Sequence, residues 1–334
     1  MNYKEKEELL HKIIRKGNKE DLLFILSKNI NINALNEYNC SPLHTSCLYG
    51  YKDIVEILLD HGAEINILNK NLESPLFYAV HCAYIEIIIL LLKRGANINL
   101  RNKNGSSVLH EASSRGQSEI TKLLIDYKAN INIRDNWERS PLNLAIYMRH
   151  PKTIEVLLKG GANINERCLY GTTPINWAID EGLFFITKLL IEYKADINTK
   201  DDEGRTPLHW AVNSNHLGIV ILLLEQRAKI DDIDKYGRNP LFFANNEKKQ
   251  IFLDLFKNWT PRIEFNSFGR DLKIHNDICP ITFDEKIQII TKCGHGFANY
   301  EDLYKCVMLT NRCPYCRTPL KWNNENISKV MDKS

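Results

Sequence analysis

The chain has no apolar segment able to cross a bilayer: a run such as Ile87–Leu92 falls far short of the roughly 20 residues needed. It also lacks the apolar core of a secretion signal, because its first residues, MNYKEKEELLHKIIRKG, alternate charged with apolar side chains. There is no excess of one charge. Its 44 Lys and Arg against 41 Asp and Glu are interspersed and leave a formal charge of +3. That excludes the concentrated basic face of a dedicated nucleic-acid binder. A disulfide framework is missing too: of nine cysteines, five lie between 279 and 316 and the others are scattered. Such usage fits a reducing compartment. The expectation is a soluble protein of cytosol or nucleus, with neither membrane nor nucleic acid as a partner. Heavy use of Asn, Ile and Lys points to an AT-rich genome. At 334 residues the chain is too long for one ordinary core, so several domains or a repeat array are expected.

What is present is a period. Ala-x-Ile-Asn or a near variant recurs at Ala63–Asn66, Ala96–Asn99, Ala129–Asn132, Ala162–Asn165, Ala195–Asn198 and Ala228–Asp231, each start 33 residues after the last. A second element keeps the phase: Ser41-Pro-Leu-His44, Ser74-Pro-Leu-Phe77, Ser140-Pro-Leu-Asn143, Thr173-Pro-Ile-Asn176 and Thr206-Pro-Leu-His209. Between them lie stretches such as Asp53–Leu59 with the apolar spacing of a buried helix face. Ser or Thr before Pro suits a helix start, since the hydroxyl caps free amides and Pro has no amide to lose. Gly62, Gly95 and Gly161 follow the second helix, where a left-handed residue closes it. A fixed period of this length is the mark of ankyrin repeats, and the chain resembles that family over 1–257. The terminal segments 1–34 and 233–257 keep the phase but lack parts of the motif, as capping repeats do, leaving six full repeats over 35–232. His44, His110 and His209 stand where such repeats use a histidine to brace loops, and no acid, base or nucleophile assembles in the array.

Arrays of this family bind proteins through loop tips and the inner helix face. The residue after the His/Asn slot is expected on that face: Thr45, Tyr78, Glu111, Leu144, Trp177, Trp210 and Phe243 in order. With repeats stacked at about 8–10 Å, Leu144, Trp177, Trp210 and Phe243 are expected to form an apolar stripe for a protein substrate. Tyr38, Trp137, Tyr170 and Tyr236 fall in phase at the loop tips, where they either join that surface or cover the adjacent repeat.

Beyond the array stands a different chemistry: Cys293-Gly-His295 and then Cys313-Pro-Tyr-Cys316. Two thiolates, an imidazole and a further thiolate at this spacing are the donor set of one tetrahedral structural zinc. Upstream lies Cys279-Pro-Ile-Thr282. Together these resemble a RING finger, in which eight ligands hold two zinc ions in a cross-braced order. On that pattern Cys279 is the first ligand, Thr282 replaces the second, Ala298 and Glu301 replace the fifth and sixth, and the second site alone is complete. Loss confined to one site is similar to the single-zinc SP-RING of SUMO ligases, while U-boxes replace both metals with hydrogen bonds, which Thr282, Asn299 and Glu301 could supply here. Residues 299–308 read as a short helix with Tyr300, Leu303, Tyr304 and Val307 on one face. Structural zinc of this kind contributes about 10–16 kcal/mol of apparent binding energy, enough to decide whether a small segment folds.

The resemblance implies a groove for a conjugating enzyme, formed by Ile281, Leu303 or Tyr304, and Pro314, with Arg317 bridging the carried modifier. It implies transfer without a covalent intermediate, the ligase holding a charged thioester near a substrate lysine. Arg317 after the last ligand favours ubiquitin, whereas Cys-Pro-Ile-Thr and the single zinc favour SUMO. The other reading is a scaffold whose zinc knot only caps or dimerises. The expected fold is mostly α: a repeat solenoid over 1–257, a linker over 258–274, a small α+β RING-like module over 275–321 and a polar tail over 322–334.

Overall fold

The computed structural model describes residues 3–28, 30–244 and 249–258. They are helices joined by tight turns, with no strand among the described residues. Two compact units divide between Leu169 and Tyr170.

The first unit is built of helix pairs: α1 (Tyr3–Lys16) with α2 (Lys19–Leu26), α3 (Pro42–Tyr49) with α4 (Lys52–Asp60), α5 (Pro75–His81) with α6 (Ile85–Lys93), α7 (Val108–Ser114) with α8 (Ser118–Asp126), and α9 (Pro141–Tyr147) with α10 (Pro151–Lys159). Each first helix packs on its own partner and on the next first helix, so α1, α3, α5, α7 and α9 form one row. The second unit repeats the plan with α11 (Pro174–Asp180) and α12 (Phe184–Glu192), then α13 (Pro207–Asn213) and α14 (Leu217–Glu225). Its last repeat departs from it. Residues Pro240–Phe243 make only a 3-10 turn, after which Ala244 is extended, and α15 (Lys249–Asn258) follows.

Local chemistry sets these boundaries. Ser41 is extended and its Oγ accepts the His44 amide at 3.3 Å, with Pro42 in the first turn. The first helices then stop at a left-handed residue, and at Gly50 (φ 77°) the choice is forced: a Cβ there would meet the Tyr84 ring at 2.7 Å. After the second helices the same conformation falls on Gly62, Gly95 and Gly161, but also on Lys128, Lys194 and Arg227 at φ 65–69°. The backbone imposes it wherever the repeat falls, whether or not glycine is present.

Second helices contribute the core through a pattern of i, i+1 and i+4. Ile54, Val55 and Leu58 are buried in α4, Ile87, Ile88 and Leu91 in α6, and Ile186, Thr187 and Leu190 in α12. Truncating one such leucine to alanine costs about 2–5 kcal/mol.

The Ala-x-Ile-Asn motif has its own reason. The side-chain oxygens of Asn33, Asn66, Asn99 and Asn132 accept the backbone amides of Glu64, Asn97, Asn130 and Asn163 at 2.8–2.9 Å. In the second unit Asn198 does the same for Lys229 at 3.2 Å. Each bond reaches 31 residues forward, so the motif stitches one repeat to the next.

Candidate functional site

The loops that present the tips are built on one Asx residue per repeat. Asn36, Asn69, Asn102, Asp135, Asp201 and Asp234 recur in phase. In each the side-chain Oδ1 accepts the amides two and four residues on, as Asp135 does from Trp137 and Arg139 at 2.9 Å each. Its backbone amide closes the loop on the carbonyl four residues ahead, 3.0 Å from Asp135 to Arg139. Where the loop ends in arginine, the guanidinium turns back on the same aspartate: Arg139 Nε to Asp135 Oδ2 at 2.9 Å, Arg205 to Asp201 at 2.8 Å, Arg238 to Asp234 at 2.7 Å. Cys168 occupies the Asx position of one repeat and has no carboxylate or amide to offer. There the chain makes a 3-10 turn at Leu169–Gly171, with Tyr170 itself left-handed.

In three repeats a histidine ties the helix to the loop that follows it. The His44 Nδ1 accepts the Ser41 amide at 3.1 Å, so Nε2 carries the proton and donates to the Glu73 carbonyl at 2.9 Å. His110 repeats this with Ser107 and Arg139, and His209 with Thr206 and Arg238. Burial pushes the His44 imidazole down to about 4, and burial lowers His110 and His209 as well. All three are neutral braces near neutral pH. Asn143 fills the same slot but reaches only the Cys168 thiol, at 3.3 Å.

On this frame the expected inner-face residues separate. Thr45 and Leu144 are buried, Leu144 with 7% of its surface exposed. Tyr78, Glu111, Trp177, Trp210 and Phe243 are half-buried. In the second unit Trp177, Trp210 and Phe243 lie on α11, α13 and the 3-10 turn, elements that pack in succession. Their rings are held by the loops. The Trp177 Nε1 donates to Thr172 Oγ1 at 3.2 Å, and Trp210 Nε1 donates to Asp201 Oδ2 at 3.0 Å beneath the Arg205 guanidinium, 4.5 Å from the ring centre. Phe243 meets His209 edge-on at 5.8 Å and lies under Arg238 at 4.7 Å. Tyr170 and Tyr236 at the tips are 77% and 67% exposed. The aspartate–arginine pairs that fix this face escaped the sequence reading. Their signal was there: Asp-x-x-x-Arg at 135, 201 and 234 in the phase of the repeat.

A family model for ankyrin repeats, in three copies, matches the chain at residues 10–102, 76–168, 109–201 and 175–266. The chain belongs to the ankyrin-repeat family. Ankyrin repeats are protein-interaction modules, and the described residues are accordingly a scaffold that binds other proteins. No curated protein matches the chain.

Among the described residues, no three His, Cys, Asp or Glu side chains gather as a metal site, and Cys40, Cys47, Cys82 and Cys168 are free thiols. No described helix is long and apolar enough to cross a membrane. The zinc ligands Cys293, His295, Cys313 and Cys316, the remnant Cys279, and the enzyme-contact residues Ile281, Leu303, Tyr304, Pro314 and Arg317 lie outside the described residues.

Proposed function

We propose that the chain is a substrate receptor joined to a ligase: the ankyrin array captures a protein, and the segment 275–321 acts as a RING-type module that receives a ubiquitin-conjugating enzyme. The observation that carries this reading is the spacing of Cys293, His295, Cys313 and Cys316, four donors suited to one zinc ion, following a protein-binding array in one chain. Zinc here supplies folding energy and no chemistry of its own. Ile281, Leu303 or Tyr304, and Pro314 would form the enzyme groove, and Arg317 the multi-donor clamp on the modifier, a role lysine fills poorly. On the array side, Trp177, Trp210 and Phe243 offer half-buried aromatic surface on consecutive elements, the composition of an interface anchor.

The test is autoconjugation with zinc-replete protein against panels of ubiquitin and SUMO conjugating enzymes. Ubiquitin chains that disappear in Ile281→Ala, Arg317→Ala and Cys313→Ser establish the reading. SUMO products instead reassign the modifier to the SP-RING type. No product from any enzyme, with zinc bound, leaves a non-catalytic ankyrin scaffold, a reading favoured by the missing ligands at 282, 298 and 301.

Substrate capture is tested separately by pull-down. Because Trp210 also holds Asp201, Trp177→Ala is the cleaner probe, and Trp210→Phe keeps the ring while dropping that bond. Loss of partner with Trp177→Ala, at unchanged helical content, supports the aromatic row. Full retention by Trp177→Ala and the double Trp177→Ala/Trp210→Ala variant removes it.

A further inference from the structure

The first unit holds a cleft that the aromatic row does not include. It has a volume of about 450 Å³ and lies between the end of α1, the inner side of α3 and α5, and the loops at 36–40 and 69–71. That volume is in the range of pockets that seat a few side chains. Its walls are tyrosine: Tyr38 from a loop tip, Tyr49 from α3 and Tyr78 from α5, with Leu48 between them. The Tyr78 hydroxyl is fixed by Asn69 Nδ2 at 3.0 Å and the Cys40 thiol at 3.5 Å, so the back wall is rigid.

The charge of the cleft is one-sided. Arg15 and Lys70 line it, and none of its twelve lining residues is Asp or Glu. Several cations of this unit are taken up by carboxylates, Lys52 by Glu86, Arg94 by Asp60, Arg115 by Glu111, Arg134 by Glu166 and Arg139 by Asp135. Among the described residues, Arg15 and Lys70 have no carboxylate partner; Lys70 instead sits 6.0 Å from the centre of the Tyr38 ring. His44, which also borders the cleft, is neutral and adds no charge. Two cations lining an aromatic cleft whose lining holds no carboxylate attract carboxylates, and the aromatic faces take apolar neighbours of those carboxylates.

We infer that this cleft is a second protein-binding site of the array, and that its occupant is an acidic segment of a partner, rich in Asp or Glu. The site is separate from the aromatic row of the second unit and needs no zinc module, so it stands whether or not the chain is a ligase.

Fluorescence anisotropy on the full chain tests it, using a labelled Asp/Glu-rich peptide, its Asn/Gln counterpart and single-stranded DNA of similar length. The acidic peptide is expected to bind, to weaken with salt, and to lose about tenfold in affinity in Arg15→Ala/Lys70→Ala, as two exposed ion pairs would give. The neutral peptide is expected not to bind. Both substituted residues are exposed, and unchanged helical signal confirms the fold. Trp177→Ala should leave this binding intact, which separates the result from the fate of the aromatic row. No binding of the acidic peptide, equal binding of the neutral one, no effect of the double variant, or DNA binding as tight as the peptide would each overturn the inference.

Discussion

At His44 a proton would undo two bonds at once. With Nδ1 accepting the Ser41 amide and Nε2 donating to Glu73, a second proton would turn Nδ1 into a donor aimed at a donor. Burial therefore holds the folded imidazole near 4, against 6.5 in a free side chain. The unfolded chain takes up its proton on passing below 6.5 and the folded chain does not until about 4, so this stabilisation is complete above 6.5 and is lost as pH falls through that window. Asn143 and Asn176 occupy the same slot and keep the capping bond to the preceding Ser or Thr, so His44→Asn holds the helix start without the titration. Between pH 7.5 and 4.5 the parent should lose on the order of 2 kcal/mol more than His44→Asn in urea titrations. Equal losses would rule out this histidine as the sensitive group. A second residue carries a smaller defect. The hydroxyl of Thr153, fully buried in α10, has no partner. Thr153→Val should raise stability by about 1 kcal/mol, read from the denaturation midpoint.

Elements show which parts of the molecule can be read without coordinates. The 33-residue period was legible because most repeats put the same residue types under the same constraint: Ser or Thr at a cap, Pro behind it, Asn at the stitch. The reason for the asparagine was not legible, since its bond runs to the following repeat. Asn132→Ala should cost about 1 kcal/mol by stranding the Asn163 amide, whereas Asn130→Ala, which loses only a contact within its own turn, should cost less. Denaturation of the two variants side by side checks the order. Left-handed positions were half legible: Gly62, Gly95 and Gly161 announce them, while Lys128, Lys194 and Arg227 conceal them. Lys194→Gly should gain up to about 1 kcal/mol by releasing that strain, less what the freer unfolded chain takes back. The final repeat shows what a cap lacks: Asn239-Pro-Leu-Phe opens as the Ser/Thr-Pro helices do, but Ala244 is extended and the turn ends after four residues, which puts Phe243 at its edge. At the candidate site, Leu144 and Trp177 look equivalent in sequence, yet one is buried and the other half-open, because burial depends on neighbours that a period does not encode. The Arg15–Lys70 cleft was invisible for the same reason: its walls come from segments 55 residues apart, Arg15 to Lys70.

For the whole molecule, the proposed zinc module makes a measurable demand on composition. Metal analysis of protein purified without added chelator should find about one zinc per chain. Cys313→Ser should lose it, while the helical signal of the array stays. Two zinc ions per chain would contradict the single-site reading, and none would remove the module. The stitching of the repeats has a further consequence, for how such a chain can change over time. Donor and acceptor are always 31 residues apart in a unit of 33. Excising residues 67–99 would therefore bring Asn66 into register with Asn130, and the join would close as though nothing had been removed. Length is thus nearly free to drift by whole units in a lineage. A gene for this chain could shorten or lengthen its reach toward a partner in single recombination steps, with each product still able to fold.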